Sequence, residues 1–408
     1  MKCGLLGRKL GHSYSPQIHA LLGSYEYTLF EKEPEELEDF LKHGDFIGLN
    51  VTIPYKKDVI PFLDELSPRA KALGAVNTIV RRNGKLIGHN TDYFGFETML
   101  LSSGVEVSRK KALVCGSGGA SNTACAVLRE HGAQVIVLSR FGENNYQNLD
   151  RHRDAALIVN ATPLGMYPNV DGAAIADLSV FPHLEGVLDL VYNPARTQIL
   201  LKAEALGLPA INGLKMLVAQ AKESAEWFTG APIDDSVIDT IYRKLRRQME
   251  NIILVGMPGC GKTTVGTQLS QLLSRPFLDA DAVLEENAHR PITEIIPQDG
   301  ETAFRAMESQ TLLELGKGSG KIIATGGGCV TIPENYEKLH RNGTIFWLKR
   351  DLSLLPTDGR PLSQAGKLQE MYQKRAPLYE AFANFTAENS GSPQDTAREI
   401  IRILEEQL

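Results

Sequence analysis

The residues Gly256-Met257-Pro258-Gly259-Cys260-Gly261-Lys262-Thr263 carry the spacing G-x-x-x-x-G-K-T. Glycines at those positions let successive backbone N–H groups turn toward a polyphosphate at a helix N-terminus, which favours anions. Lys262 would then reach the outer phosphates, the Thr263 hydroxyl would ligate Mg²⁺, and Thr264 would open the helix beside them. P-loops serve many NTPases, so the acceptor must be read elsewhere. Phe277-Leu278-Asp279-Ala280-Asp281 ends an apolar run in two carboxylates at i and i+2, which share one face of an extended segment. One can support the Mg²⁺ shell while the other orients a hydroxyl. Arg305 and Arg375 suit a two-pronged clamp on a carboxylate. Gly326, Gly327 and Gly328 let a ligand ring approach the backbone. Arg360, in a short polar loop, suits a lid that brings a cation to the transferring phosphoryl group. Taken singly, each arginine is equally well a surface residue, and each aspartate a turn residue.

A second nucleotide signal lies upstream. Gly116-Ser117-Gly118-Gly119-Ala120-Ser121 follows the strand-like run Ala112–Cys115 and opens a helix-like one, the context of a dinucleotide-binding turn. The next strand ends Leu138-Ser139-Arg140. A carboxylate there would select NAD, whereas Arg140 can pair with a 2′-phosphate, so NADP(H) is expected. Other polar groups stand where a plain core would not want them. Ser13 and Ser15 alternate and can face one carboxylate. Thr52 and Lys56 close the run Asn50-Val51-Thr52-Ile53-Pro54-Tyr55-Lys56, and Asp92 follows Asn90-Thr91. The bland readings are a helix cap for Ser13 or Ser15, a surface cation for Lys56 and an N-cap for Asp92.

The elements that must position these groups follow a strand–helix rhythm. Lys2–Leu6 and Phe46–Val51 read as strands and Pro34–Lys42 as a helix. From Lys111 a βαβ alternation begins, with further strands at Gln134–Leu138, Leu157–Val159 and Val187–Leu190. Gly213–Gln248 reads as helical, and the run Asn251–Val255 before the P-loop as a strand. No Gly/Ser- or Pro-rich linker separates the halves. A chain of 408 residues predicts two or three domains. Its net charge of −6 argues against a nucleic-acid partner. The basic run Arg243-Lys244-Leu245-Arg246-Arg247 reads as cations in the last turns of a helix. Five scattered cysteines without C-x-x-C spacing predict a reducing, cytoplasmic setting and neither a disulfide framework nor a zinc site. Apolar runs such as Ala155–Val159 are too short to span a bilayer, so no membrane partner is expected.

Together the motifs resemble two families. GHSYSP, NVTIPYK, GAVNT (Gly74 to Thr78), NTDYFG, NATPLGM (Asn160 to Met166) and NGLKMLVAQA (Asn212 to Ala221) resemble, in order, shikimate dehydrogenase, over Met1 to about Gln248. The resemblance implies that Ser13 and Ser15 hold the substrate carboxylate. It further implies that Thr52, Asn77, Asp92 and Gln220 bind its hydroxyls, and that Lys56 and Asp92 are the catalytic pair. Tyr192 would line the nicotinamide pocket. Ser15 favours shikimate over quinate. From Asn251 onward the chain resembles shikimate kinase, by the P-loop, Asp279, Asp281, Arg305, Gly326 to Gly328, Arg360 and Arg375. This likeness implies Mg²⁺ support from Asp279, contact of Asp281 with the acceptor hydroxyl, shikimate binding by Arg305, Gly326 to Gly328 and Arg375, and a lid role for Arg360. One departure stands out. The lid Leu354–Arg360 is short and lacks the additional arginine that many relatives carry before it beside the adenine, which touches nucleotide affinity and not the reaction class.

The expected fold is α/β: a substrate-binding domain (1–95 and 211–248), a Rossmann NADP-binding domain (96–210) and a P-loop kinase domain with a parallel sheet (249–408). The expected function is bifunctional: NADPH-dependent reduction of 3-dehydroshikimate to shikimate, then MgATP-dependent phosphorylation of shikimate to shikimate 3-phosphate, in a monomer or homodimer. Two rivals stand beside it. One keeps the dehydrogenase and makes the second half a regulatory or weak nucleotide-binding module; the other makes that half a P-loop switch recognising a macromolecule.

Overall fold

The computed structural model describes residues 1–11, 13–355 and 365–406. The chain forms two compact units. Met1–Met166, Asp171–Tyr192 and Thr197–Lys244 make the first, and Tyr167–Val170, Asn193–Arg196 and Leu245–Leu408 the second.

The first unit holds two sheets. Strands β1 (Lys2–Gly7), β2 (Glu26–Glu31), β3 (Gly48–Val51), β4 (Glu65–Leu66), β5 (Thr78–Arg82) and β6 (Lys85–His89) are ordered β2-β1-β3-β5-β6-β4. β1 pairs in parallel with β2 and β3, whereas β5 runs antiparallel to both β3 and β6. One face packs Leu6, Leu49, Val51 and Ile79 against Leu37 and Leu41 of the helix Leu37–His43. That helix is shorter than the Pro34–Lys42 reading: Pro34–Glu36 forms a tighter 3₁₀ turn, closed by a capping box between Glu33 and Glu36. The other face receives Phe228 against Cys3 and Val80. Here Gly48 matters, because a Cβ on it would run into the Phe228 ring.

The second sheet comprises β7 (Lys111–Cys115), β8 (Gln134–Leu138), β9 (Ala155–Asn160), β10 (Gly186–Asp189) and β11 (Ala210–Asn212), ordered β11-β10-β9-β7-β8 and parallel throughout. β9 is buried along its whole length, as a parallel strand covered on both faces must be. The helices Asp92–Ser102 and Gly119–Glu130 cover one face through Phe96, Met99, Ala124 and Leu128; Gln198–Ala205 covers the other through Ile199 and Leu200. The stretch expected to be continuously helical from Gly213 divides into Leu214–Thr229 and Ser236–Met249. Gly230 ends the first at φ +72°, a left-handed conformation that glycine adopts without steric cost.

The second unit is one parallel sheet of β12 (Asn251–Val255), β13 (Phe277–Asp279), β14 (Ile322–Ala324), β15 (Gly343–Lys349) and β16 (Phe385–Glu388), ordered β13-β14-β12-β15-β16. Its core joins Ile253, Leu254, Ile323, Ile345 and Phe346 to Val265 and Leu269 of the helix Lys262–Leu273 and to Ala397 and Ile400 of the helix Pro393–Glu406. All five cysteines are free and buried. Among the described residues, no helix is long and apolar enough to cross a membrane. Because Phe228 seals one face of the first sheet, Phe228→Ala should cost about 3–5 kcal/mol. Calorimetry should show the first unit's transition lowered and the second unit's unmoved.

Candidate active sites

In the first unit, the ends of β1 and β3, the segment before β5 and the segment after β6 meet the helix Leu214–Thr229. Ser13, Ser15, Thr52, Lys56, Asn77, Asp92 and Gln220 line one cavity of about 270 Å³ there, with Asn50, Tyr192, Ala120 and Met216 also on its wall. That lies just under the range of roughly 300 to 1,000 Å³ usual for drug-sized ligands, so only a small molecule fits. Lys56 Nζ donates to Asp92 Oδ2 at 2.6 Å. Asn77 Nδ2 donates to the other carboxylate oxygen, Asp92 Oδ1, at 3.0 Å. Asp92 is the first residue of its helix, not the cap; Thr91 holds the N-cap position without a side-chain capping bond. Its carboxylate is therefore free to face the cavity, and it also favours the positive helix N-terminus. Ser13 and Ser15 flank Tyr14, whose ring meets Tyr192 edge-on at 6.1 Å. The Ser15 backbone N–H donates to Ser13 Oγ at 3.2 Å, but the helix Ser15–Leu22 has Tyr14 at its N-cap with no side-chain capping bond, so neither serine is the cap.

Beneath the cavity lies a buried polar network. Ser224 Oγ, one helical turn beyond Gln220, meets Thr78 Oγ1 at 2.8 Å and Thr91 Oγ1 at 3.0 Å, and accepts from Asn50 Nδ2 at 2.8 Å. Asn77 Oδ1 accepts from the Thr91 N–H at 2.7 Å. Such bonds add only about 0.5–1.5 kcal/mol each, whereas an unpaired buried partner costs about 1–3. The network therefore acts chiefly to fix the orientation of Asn77, and through it Asp92.

The second sheet brings a nucleotide-type edge to the same unit. Gly116 leaves β7 at φ +107°, where an added Cβ would press on Ala161 and Thr162. At Gly118 and Gly119, by contrast, a Cβ would enter open space at the start of the helix Gly119–Glu130. Bare N–H groups at a helix N-terminus with room before them fit a pyrophosphate. Ser139 follows β8, its N–H donating to Asn144 O at 3.1 Å. Arg140 is exposed beside it. Asp189 ends β10 fully buried, and burial pushes its carboxyl up to about 6. It accepts from Thr197, Asn160 and the Val191 N–H, which ties down the segment leading to Tyr192.

In the second unit the P-loop runs from β12 into the helix Lys262–Leu273, with Gly256, Gly259 and Gly261 all at positive φ. Lys262 is buried, its Nζ donating to Gly256 O at 2.9 Å and Met257 O at 3.1 Å. Thr263 Oγ1 donates to Asp279 Oδ2 at 2.9 Å. Among the described residues no three His, Cys, Asp or Glu side chains gather as a metal cage; the hydroxyl–carboxylate pair suits Mg²⁺, which takes few protein ligands and completes its shell with phosphate and water. Thr264 is exposed in the first turn of the helix. Beside the loop, Asp281, Glu308 and Arg305 face Gly326 and Gly328: a Cβ on Gly326 would strike Asp281 and Glu308, and one on Gly328 the Arg305 guanidinium. Arg305 Nη1 donates to Glu308 Oε2 at 2.7 Å, which leaves Glu308 Oε1 buried and without a partner. Arg375 Nη1 donates to Gly327 O at 3.2 Å. Burial, then the negative charges of Glu308 and Asp279, push the Asp281 carboxyl up to about 6.

Comparison with known proteins bears on both units. A shikimate dehydrogenase (NADP(+)) of Clostridium perfringens is 37% identical over 265 residues, covering 60% of this chain and 97% of its own. The chain belongs to the shikimate dehydrogenase family. Residues 5–79 match the family model for the shikimate dehydrogenase substrate binding domain, and residues 258–405 match that for shikimate kinase. Among solved structures, shikimate dehydrogenase 1 of Peptoclostridium difficile is 38% identical at a TM-score of 0.55, over 60% of this chain and 97% of that one. The Thermus thermophilus shikimate 5-dehydrogenase in complex with shikimate is 33% identical at 0.54, over 60% and 98%. The protein is thus a bifunctional shikimate-pathway enzyme, a shikimate dehydrogenase carrying a shikimate kinase domain.

In the shikimate dehydrogenase part, the structure gathers every residue expected to bind substrate, with Ala120 and Tyr192 from the expected cofactor set. Sequence reading missed the layer behind them: Thr78, Thr91 and Ser224. Ser224 was legible only as a polar residue at i+4 from Gln220, a spacing that shares a helix face. In the shikimate kinase domain it missed the contact of Tyr379 with Gly327 O and that of Asn389 with Cys260 O. The expected lid arginine, Arg360, lies outside the described residues. The raised Asp281 pKa predicts that, in metal- and nucleotide-free protein, shikimate affinity weakens as the pH falls through about 6; calorimetric titration from pH 4.5 to 8 checks this.

Proposed function

We propose that the first unit reduces 3-dehydroshikimate to shikimate with NADPH and that the second phosphorylates shikimate at its 3-hydroxyl with MgATP. The observation carrying the first half is the shared cavity of Ser13, Ser15, Thr52, Lys56, Asn77, Asp92 and Gln220, with Lys56 and Asp92 in contact at 2.6 Å. Ser13 and Ser15 hold the substrate carboxylate, while Thr52, Asn77 and Gln220 hold its hydroxyls. Bound NADPH supplies the hydride to the ring carbonyl carbon. The carbonyl oxygen then gains negative charge, and the Lys56 ammonium stabilises it and donates the proton. Asp92 anchors that ammonium and a substrate hydroxyl. The open glycine turn of Gly118 and Gly119, together with Arg140, supports NADP(H) as the cofactor. Residues 1–95 with 211–248 are assigned to substrate binding, 96–210 to NADP(H) and 249–408 to the kinase.

For the kinase, the contact between Thr263 and Asp279 supports Mg²⁺ binding, which supplies charge neutralisation at the phosphates. Asp281 orients the acceptor hydroxyl. Arg305, Arg375 and the Gly326–Gly328 backbone hold the acid, and the unpartnered Glu308 oxygen suits a ligand hydroxyl. Retention of this full set favours an active kinase over a regulatory module.

The test is both assays on one preparation: NADPH oxidation with 3-dehydroshikimate, and shikimate-dependent ATP consumption. Lys56→Ala should lower dehydrogenase kcat by about 10²–10⁴-fold with kinase activity unchanged, and Lys262→Ala should do the reverse. A Lys56→Ala effect confined to KM makes Lys56 a binding residue only. Arg140→Ala should weaken NADPH binding and leave NADH nearly unaffected; equal losses would remove the 2′-phosphate role.

A further inference from the structure

We propose that Arg350 binds the adenosine half of the nucleotide in the kinase domain, a contribution that rests on the reading of that domain as an ATP site. Arg350 directly follows β15, and its Nη1 lies 3.8 Å from where a Cβ on Gly261 would stand. Its Nε is buried and has no hydrogen-bond partner. A guanidinium cannot shed its proton, so a buried N–H of this kind calls for an acceptor, and none of the described protein atoms supplies one. Its immediate neighbour, Asn389, is already committed: its Nδ2 donates to Cys260 O at 2.7 Å, and its Oδ1 accepts from Thr396 Oγ1 at 3.0 Å.

Strand order says which part of the nucleotide it meets. Across the carboxyl edge of the sheet the sequence is β13-β14-β12-β15-β16. β13 and β14 deliver Asp279, Asp281 and Gly326–Gly328, the acceptor side. β12 delivers the phosphate loop. Arg350 and Asn389 follow β15 and β16, on the far side of the P-loop from the acceptor. A nucleotide with its terminal phosphate toward Asp281 therefore extends its other end toward Arg350. There the guanidinium offers hydrogen bonds to the ribose, or a planar cation to the base.

Calorimetric titration of the full chain with ADP, tripolyphosphate and shikimate tests this. Arg350→Ala should weaken ADP at least tenfold, with tripolyphosphate and shikimate within twofold of the unaltered protein. An ADP affinity within twofold overturns the proposal. Equal weakening of tripolyphosphate also overturns it, by placing the effect at the phosphate loop. Arg350→Gln, which keeps much of the stem and a planar N–H group, is read by the same criteria if the alanine variant unfolds. If the unaltered protein binds ADP yet does not phosphorylate shikimate, the kinase reading fails while the Arg350 test stands.

Discussion

The functional groups of both units sit where strands stop, at the carboxyl edges of sheets. In a parallel sheet, apolar side chains fill the interior of each strand, and the connections at one edge lead into helix N-termini, where N–H groups lack partners. Polar residues and anionic ligands are most readily accommodated there. In the kinase domain every strand runs the same way, so the P-loop, Asp279 and Gly326–Gly328 follow their strands onto one edge. The first sheet reaches the same result by alternation. β3 ends at Val51, just before Thr52 and Lys56. β5 runs antiparallel to β3, so Asn77, which precedes β5, lands at that same edge; β6 reverses again and delivers Asp92.

This arrangement explains why the Lys56–Asp92 pair can be partly buried without being a liability. A buried ion pair gains little net stability unless its remaining atoms are also bonded. Asp92 meets that condition: one oxygen takes Lys56, the other Asn77, and its helix N-terminus favours the charge. Asn77 is in turn oriented by Thr91 and, less directly, by Ser224. The pair is thus held in one orientation at the cavity wall.

The acceptor pocket of the kinase domain works by a different balance. Asp281, Glu308 and Asp279 crowd negative charge beside the P-loop, offset by Lys262 and Arg305. Burial and the neighbouring carboxylates push the Asp281 carboxyl up to about 6. The glycines after β14 are small because these side chains already fill the space where Cβ atoms would stand.

The order of motifs along the chain determined much on its own. The P-loop, the glycine turn after β7 and the paired aspartates are local patterns, set by backbone conformation and strand periodicity, and they are legible without a fold. So was most of the second sheet as a βα rhythm, because apolar runs bounded by glycines and polar residues mark strands, whereas β2, β4, β5 and β6 of the first sheet and β15 and β16 of the third were not read. Boundaries were less legible: Gly230 interrupts a helical reading that looked continuous, and Pro34–Glu36 tightens into a 3₁₀ turn through a capping box. What only tertiary structure decided is convergence. Asn77 and Gln220 are far apart in sequence, yet their side-chain amides meet at 3.4 Å. Ser224 and Thr78 had no local signal of partnership, since their bond depends on a helix packing across two strands. Arg350 carries no signal in the sequence, and only its buried, unpaired Nε near Gly261 distinguishes it.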